Sequence, residues 1–499
     1  MRIKLILIWS FFLLSGSALA QVERLERIEI DYKDEFYVKG LYNFGENGVV
    51  LSAVEDIKRS RRDPKRMYVF YDKDLLELES IEVEVPFRHK LMATHEGETE
   101  IHTFYYDSRK GDYTVVTIDA TKTSRKEFTG TIGKKLAINR FMVMGNTGVL
   151  YASTKKTRIL YILNFETGEF KQVELKKGKK KNKLFVIDML CLPGENEVAI
   201  TVQEYAKKIM LSTKTYFINR DGEVSEPMAL DAGRWDIDDA TPTRIDDDQV
   251  LIAGTYSKMK AAGAAGMFIS SYTEGDQDYF NTYDFTEYEN FFKYMSNKRQ
   301  KKVQKKIARR KSKGKEVSLN VKMAIHNIEK SGKLYYMLGE VYYPTYRTET
   351  RTTYVNGRPT TTTYTVFDGY QYTHAVLSTF DMDGEKVDDH IFEMWLSYKP
   401  YSVKRFIELN VDDESVKMAF VDGDVLKTKV LDQGDLVDDE DIILIGENAN
   451  DKVRYSGGSV EHFYGNSFVS YGSQRIKNKK DKNVKKKRNI FYMQKIIIE

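Results

Sequence analysis

The sequence holds a single cysteine, Cys191, among 499 residues. No intrachain disulfide can form, so stability must come from buried apolar surface rather than covalent staples. Cys191 lies in Ile187-Asp-Met-Leu-Cys-Leu192, the pattern of a buried strand residue and not of an activated thiol. Proline is scarce at 8 residues and runs of Ala or Leu are few, whereas 33 Tyr and 26 Phe tilt the chain toward strands. Beyond the first twenty residues no stretch is long and apolar enough to span a bilayer. Neither sign of charge prevails: 78 Lys and Arg face 74 Asp and Glu, a net +4. Only the distribution of charge can therefore point to a partner.

Catalytic signatures are absent as well. There is no HExxH, GxSxG, P-loop or CxxC, and His95-Glu96 lacks a second histidine at helical spacing. Asp381-Met-Asp-Gly-Glu-Lys-Val-Asp388 opens like a calcium loop but lacks the later ligands, and it falls where a hairpin turn is required. The pairs Asp238-Asp239 and Asp412-Asp413 read as strand-end turn chemistry. His326 and His374 fall in strand patterns, as satisfied core or surface residues. The sequence names no catalytic residue, no metal ligand and no cofactor, and it leans away from enzymatic activity.

What is present starts at the N-terminus. Arg2 and Lys4 precede an apolar run from Leu5 to Leu14, and Ser15-Gly-Ser-Ala-Leu-Ala20 ends in the small-x-small pattern of a cleavage site. Residues 1–20 are expected to be a signal peptide, with the mature chain starting at Gln21 and exported. Residue 21 is not cysteine, which excludes a lipid anchor attached there.

Short β-branched and aromatic segments then recur, such as Arg66-Met-Tyr-Val-Phe-Tyr71, Arg158-Ile-Leu-Tyr-Ile-Leu-Asn164 and Gln249-Val-Leu-Ile-Ala-Gly254. Tight Gly-containing turns separate them, among them Glu166-Thr-Gly-Glu169, Arg220-Asp-Gly-Glu223 and Met382-Asp-Gly-Glu385. Read as the turn between the third and fourth strands of a unit, these fall near residues 73, 122, 167, 221, 275, 383 and 435. A spacing of about 45 to 55 residues is that of four-stranded propeller blades. One double gap holds a basic helical insert, 285–317, and a long hairpin, 343–372. The expected fold is all-β: a single β-propeller over 21–499, with eight blades preferred to seven. The strand Leu25-Glu-Arg-Ile-Glu-Ile-Asp31 supplies the missing fourth strand of the last unit. Two β-sandwiches joined near Asn297 are the competing reading. Thr286-Glu-Tyr-Glu289 looks like a capping box that opens the insert, with Tyr288, Phe292, Met295, Val303 and Ile307 on one face and Gly314 as the stop.

In such a unit the second-to-third-strand loop and the link to the next unit leave on one face. That sorts the basic segments. Lys58, Arg59, Arg61 and Arg62, then Lys179, Lys180 and Lys181, then Lys301, Lys302, Lys305 and Arg309, and finally Lys485, Lys486 and Lys487 all exit together. Asp231 and Asp246-Asp-Asp248 are assigned to the same face, which makes its field mixed. The long hairpin joins it there, alternating Thr and Tyr from Thr352 to Tyr364 around Asn356-Gly357. Exposed Tyr354 and Tyr364 suit sugar stacking or strand addition by a partner. Loops on a rigid scaffold carry function.

The expected function is a non-catalytic binding or scaffold protein of the bacterial cell envelope. A cationic face would hold an anionic component: polysaccharide, lipid head group or acidic protein, but not nucleic acid. The alternative is a secreted propeller glycosidase or lyase acting on polysaccharide. A third possibility, attachment to a membrane surface through the basic helix, requires Phe291, Phe292 and Met295 to be exposed.

The run Phe367-Asp-Gly-Tyr-Gln-Tyr-Thr-His-Ala-Val-Leu-Ser-Thr-Phe-Asp-Met-Asp-Gly384, with the Lys/Tyr/Asn-rich composition, resembles exported β-propeller-like proteins of unassigned function from Bacteroidota-type bacteria. The resemblance implies a periplasmic or cell-surface protein of a two-membrane bacterium and brings no activity with it.

Overall fold

The computed structural model describes residues 22–31, 36–55, 65–85, 88–154, 157–175, 179, 181–192, 194, 196–207, 209–258, 263–315, 317, 319, 321–355, 358–412, 415–444, 450–480 and 485–499. Residues 1–20, expected to be a signal peptide, together with Lys58, Arg59, Arg61, Arg62, Lys180, Asn356 and Gly357, lie outside them. The described strands form eight antiparallel sheets, spanning 36–84, 90–131, 137–173, 183–230, 236–284, 322–393, 408–443 and 451–498. In the first seven, chain order and spatial order agree from the innermost strand outward; the sixth adds the short strand Glu329–Ser331. In the eighth, the order is Asp451–Tyr464, Ser467–Asn478, Lys487–Ile498, and then the N-terminal strand Val22–Asp31. The first strand of the chain is thus the outermost strand of its last sheet, as the sequence led us to expect.

The core shows why these sheets close on themselves. Among the described residues there are eight apolar clusters, and each draws on two consecutive sheets. The last joins Leu41, Val49, Leu51 and Val69 of the first sheet to Phe463, Val469, Phe491 and Met493 of the eighth. Middle strands are buried on both sides. Val49 and Leu51 face the eighth sheet, whereas Val50 between them faces the second. Such strands read as unbroken apolar runs, and only the outer strands alternate with polar residues. The fold is an all-β propeller, which excludes two side-by-side sandwiches.

The turn between third and fourth strands is found at every position its spacing indicated. Gly168, Gly222 and Gly384 adopt φ of 71°, 74° and 74° there, the left-handed backbone such turns require. Asp381 accepts hydrogen bonds from the amides of Asp383 and Glu385, so this acidic run is a turn. Asp412 acts likewise toward Ser415. Asp238-Asp239 does not. It lies within the inner strand Asp236–Arg244, where the register shifts between Ile237 and Asp239. Equivalent bulges interrupt the inner strands of the first, second, third, fourth and eighth sheets, and bulges re-aim side chains.

The basic insert starts later than its capping signature indicates. Asp284, not Thr286, caps a single 3-10 turn at Phe285–Glu287, and helix α1 runs only from Asn297 to Lys311. Asp389 takes the amides of Glu289 and Asn290. Phe285, Tyr288, Phe291 and Phe292 are buried between the fifth and sixth sheets, with Met295 and Val303 partly so. Burying four aromatic rings outweighs the roughly 1 kcal/mol that a helix cap contributes. Gly314 does end the helix region, at φ 64°. Packed in this way, Phe291, Phe292 and Met295 cannot anchor a membrane. No helix among the described residues is long and apolar enough to cross one.

Candidate functional site

Strand order assigns each connection to a face. The second-to-third-strand loops and the sheet-to-sheet links share one end of the ring, here the loop face. Lys179 and Lys181 lie in the link before the fourth sheet, α1 in the link before the sixth, and Lys485, Lys486 and Lys487 at the last loop of the eighth. Asp231 shares that face. Asp246-Asp-Asp248 does not: it joins a first strand to a second, at the opposite end. The reading that put these three aspartates among the basic loops is corrected, and the loop face has fewer acids than expected. Lys179 and Lys181 stand apart from the other basic residues around the ring.

The eighth sheet builds a defined cationic cleft on this face. It has a volume of about 360 Å³ and is lined by Arg454, Arg475, Ile476, Lys477, Lys487, Arg488 and Asn489. Arg454 is the extra residue of a bulge between Val453 and Tyr455. Register pairs Lys477 with Lys487 and Arg475 with Asn489. Arg488 is neutralised by Glu29 at 3.0 Å and by Asp451. Arg454, Arg475, Lys477 and Lys487 make no ion pair among the described residues; Arg475 only donates to the Asn489 side-chain oxygen, at 3.3 Å. Lys479 above all, then burial, then Arg454, Lys487 and Lys486, hold the Lys477 ammonium below its ordinary range, so the cations repel one another. An anion in the cleft would relieve that repulsion.

Helix α1, NKRQKKVQKKIARRK, has no acidic residue, and Lys301, Lys302, Lys305 and Arg309 are exposed on it. Only Lys311 is paired among the described residues, to Glu287 at 3.2 Å. Just before the helix, Tyr294 stacks on buried His374 with ring centroids 3.8 Å apart and lies 6.3 Å from Trp395. Trp395 follows the last strand of the sixth sheet and has φ 39°, an uncommon conformation for a bulky side chain. It is 45% exposed, as are Tyr398 (48%) and Tyr455 (65%). The 394–407 link is held from beneath by buried Glu340, which accepts the amides of Phe406 and Ile407 at 2.7 and 2.9 Å and lies 2.9 Å from His326 Nε2.

The long hairpin is real. The strands Leu334–Val355 and Arg358–Phe380 extend the sixth sheet as a ribbon exposed from Tyr346 to Tyr354 and from Arg358 to Thr365. Both faces of the ribbon are in solvent, so it projects from the ring. Tyr354 pairs with Pro359 and Tyr364 with Glu349, so the two tyrosines stand on different rungs and form no joint platform.

The axis holds a group that no sequence pattern displays. Glu96, Glu408 and Glu461 come from the inner strands of the second, seventh and eighth sheets. Burial first, then the Glu461 carboxylate, push both Glu96 and Glu408 up to about 8. Glu461 is raised by burial while accepting the Tyr471 hydroxyl. Glu96 keeps exposed surface inside this crowded surround. Farther round, Arg140 lies 3.9 Å from Asp188. Burial and Asp188 push Asp239 up to about 6, opposed by Arg405 and Arg140. No group of three or more His, Cys, Asp or Glu among the described residues is placed to hold a metal ion.

No family model matches the chain, and no curated protein does. Solved structures do. The β-propeller domain of the Trilobed protease from Pyrococcus furiosus aligns at 10% identity and TM-score 0.37, covering 84% of this chain and 98% of that one. The polysaccharide lyase Uly1 aligns at 10% identity and TM-score 0.37, over 96% of this chain and 100% of that one. The Dos1 propeller aligns at 10% identity and TM-score 0.37, over 76% of this chain and 75% of that one. None of the three informs the chemistry of this chain.

Proposed function

We propose that this chain is a non-catalytic binding or scaffold protein of a bacterial cell envelope, whose loop face holds an anionic partner. The observation that carries this reading is the cleft of the eighth sheet, where Arg454, Arg475, Lys477 and Lys487 converge with no ion pair among the described residues. The acid-free surface of α1 supports it. The export signal read in residues 1–20 supports the location, in the periplasm or at the surface of a two-membrane bacterium. Binding should be screened by salt, because the groups involved are exposed. The test is a binding titration of dextran sulfate against uncharged dextran at two salt concentrations. Arg454→Ser/Arg475→Ser/Lys487→Ser should weaken dextran sulfate binding by about tenfold or more, the effect of losing roughly 1.4 kcal/mol of interaction. Equal binding by the triple variant and the parent would remove the cleft as the partner site.

The axial carboxylates favour a second reading, a propeller enzyme acting on polysaccharide. Carboxyl groups with raised pKa values are the material of general acids and bases. That reading expects new chain ends when an acidic polysaccharide is incubated with the protein, and none with Glu408→Gln.

A further inference from the structure

Three features of the loop face lie in sequence around the ring. Arg299 of α1 and the Tyr343 hydroxyl both act electrostatically on Tyr294. Tyr294 in turn neighbours Trp395. On the far side of the 394–407 link, Tyr398 lies within electrostatic reach of Tyr455, and Tyr455 adjoins Arg454 of the cleft. A band of rings, Tyr294 half-buried and Trp395, Tyr398 and Tyr455 exposed, therefore runs between two cationic ends. The acids beside it are already engaged. Asp422 accepts the Ser397 amide and hydroxyl, at 2.9 and 2.7 Å. Asp368 pairs with Lys399 at 2.8 Å and Arg347 at 3.2 Å.

This arrangement discriminates among anions. A polyanion without flat apolar faces has no use for Trp395, Tyr398 and Tyr455, and a neutral glycan has none for the cations. A sugar ring presents C–H faces that pack on aromatic rings, and a uronic acid adds a carboxylate to each ring. Trp395 is also fixed in place. Its left-handed backbone is a conformation that glycine adopts freely and tryptophan does not. Such strain persists where the surroundings impose it, here through the Met394 amide bonded to the Thr373 carbonyl at 3.0 Å. Resting on the reading of this face as an anion-binding surface, we infer that its partner is an acidic polysaccharide, laid along the Tyr294–Trp395–Tyr398–Tyr455 band with its acid groups toward α1 and the eighth-sheet cleft.

The test uses the full mature chain and three probes of similar length: an oligogalacturonate, a poly-glutamate peptide and a neutral dextran oligomer. Affinities are read by titration calorimetry for the parent, for Trp395→Gly/Tyr455→Ser, and for Arg454→Ser/Lys487→Ser. Trp395→Gly suits the backbone at that position, so loss of binding there is not loss of fold; Trp395→Phe, which keeps a ring, is the rescue variant. Oligogalacturonate should bind best, and the aromatic variant should weaken it about tenfold, an expected consequence of removing anchoring rings. That variant should leave poly-glutamate binding unchanged, whereas the cation variant should weaken both. If poly-glutamate binds as tightly as oligogalacturonate and the aromatic variant changes neither, the sugar inference falls while the anion-binding reading stands. If the cation variant changes neither probe, the parent reading falls with it.

Discussion

A chain beginning after Asp31 should self-associate more strongly than the chain that keeps its N-terminal strand. The strand Val22–Asp31 covers Lys487–Ile498, pairing from Val22 with Ile498 to Asp31 with Ile490. Without it, a twelve-residue strand carrying Ile490, Phe491, Tyr492 and Met493 becomes the edge of the sheet. A long apolar edge is a template for pairing with another molecule. The N-terminal strand also brings Ile28 and Ile30 to the cluster between the eighth and first sheets. Its Arg27 and Glu29 complete a buried network: Arg27 Nε donates to Glu29 at 3.0 Å, Arg27 Nη2 to Gln474 at 2.6 Å, and Glu29 pairs with Arg488. Removing the strand takes Glu29 from Arg488, which keeps only Asp451 of its two carboxylate partners. Losing one charged hydrogen-bonding partner of Arg488 costs about 2 kcal/mol, and losing two partly buried isoleucines adds on the order of 2 kcal/mol. Equilibrium urea unfolding should show a loss of that size, and light scattering should show oligomers. Ile28→Asp is the point-substitution version and should act in the same direction with a smaller effect. A truncated chain that stays monomeric with the parent's urea midpoint would mean that the ring does not depend on this closure.

That closure was legible in the sequence, and so was the ring, because both depend on local chemistry repeated at regular intervals. A hairpin turn such as Glu166-Thr-Gly-Glu169 needs its glycine wherever the rest of the chain goes. The cationic run ending at Arg488 was legible for the same reason. What was not legible needed tertiary contact. Thr286-Glu-Tyr-Glu289 carries a helix-start pattern, but Phe285, Tyr288 and Phe291 are drawn into the core and the pattern is overruled. Arg454 and Arg475 join Lys477 and Lys487 only because three strands pair in register at the loop end. Trp395 and Tyr398 come from the 394–407 link, and Tyr455 from the inner strand of the eighth sheet. The axial glutamates are the extreme case. Three different inner strands contribute them, and nothing in the neighbourhood of Glu96, Glu408 or Glu461 marks it out.

Those glutamates give the molecule an expected pH dependence whose sign is fixed by the direction of their shifts. Glu96 and Glu408 sit near 8 when folded, against about 4.3 for an unfolded glutamate. Between those values the folded chain holds protons that the unfolded chain has released, so stability falls as pH rises through the window. Buried His95, His102 and His374 work the other way. Burial lowers them to about 4, 3 and 3, so their contribution is complete above about 6.5 and lost on acidification. The two sets oppose each other below about pH 6.5; above it only the carboxyls still act. From pH 6.5 to 9 each fully shifted carboxyl should remove about 2 kcal/mol, at 1.36 kcal/mol per pKa unit. Glu96, with its exposed surface, should remove less through solvent screening. Asn43 donates its amide to Glu96 at 2.7 Å, and Tyr471 faces Glu461; neither supplies a positive charge that would cancel the repulsion. Urea midpoints at pH 6.5 and 9 should therefore drop steeply for the parent chain. Glu408→Gln keeps the shape, stays neutral at both pH values and relieves its neighbours, so it should flatten the drop and leave the variant more stable than the parent at pH 9. A parent profile already flat over this range, or a variant profile parallel to it, would show that the three carboxyls do not share one enclosed axial space.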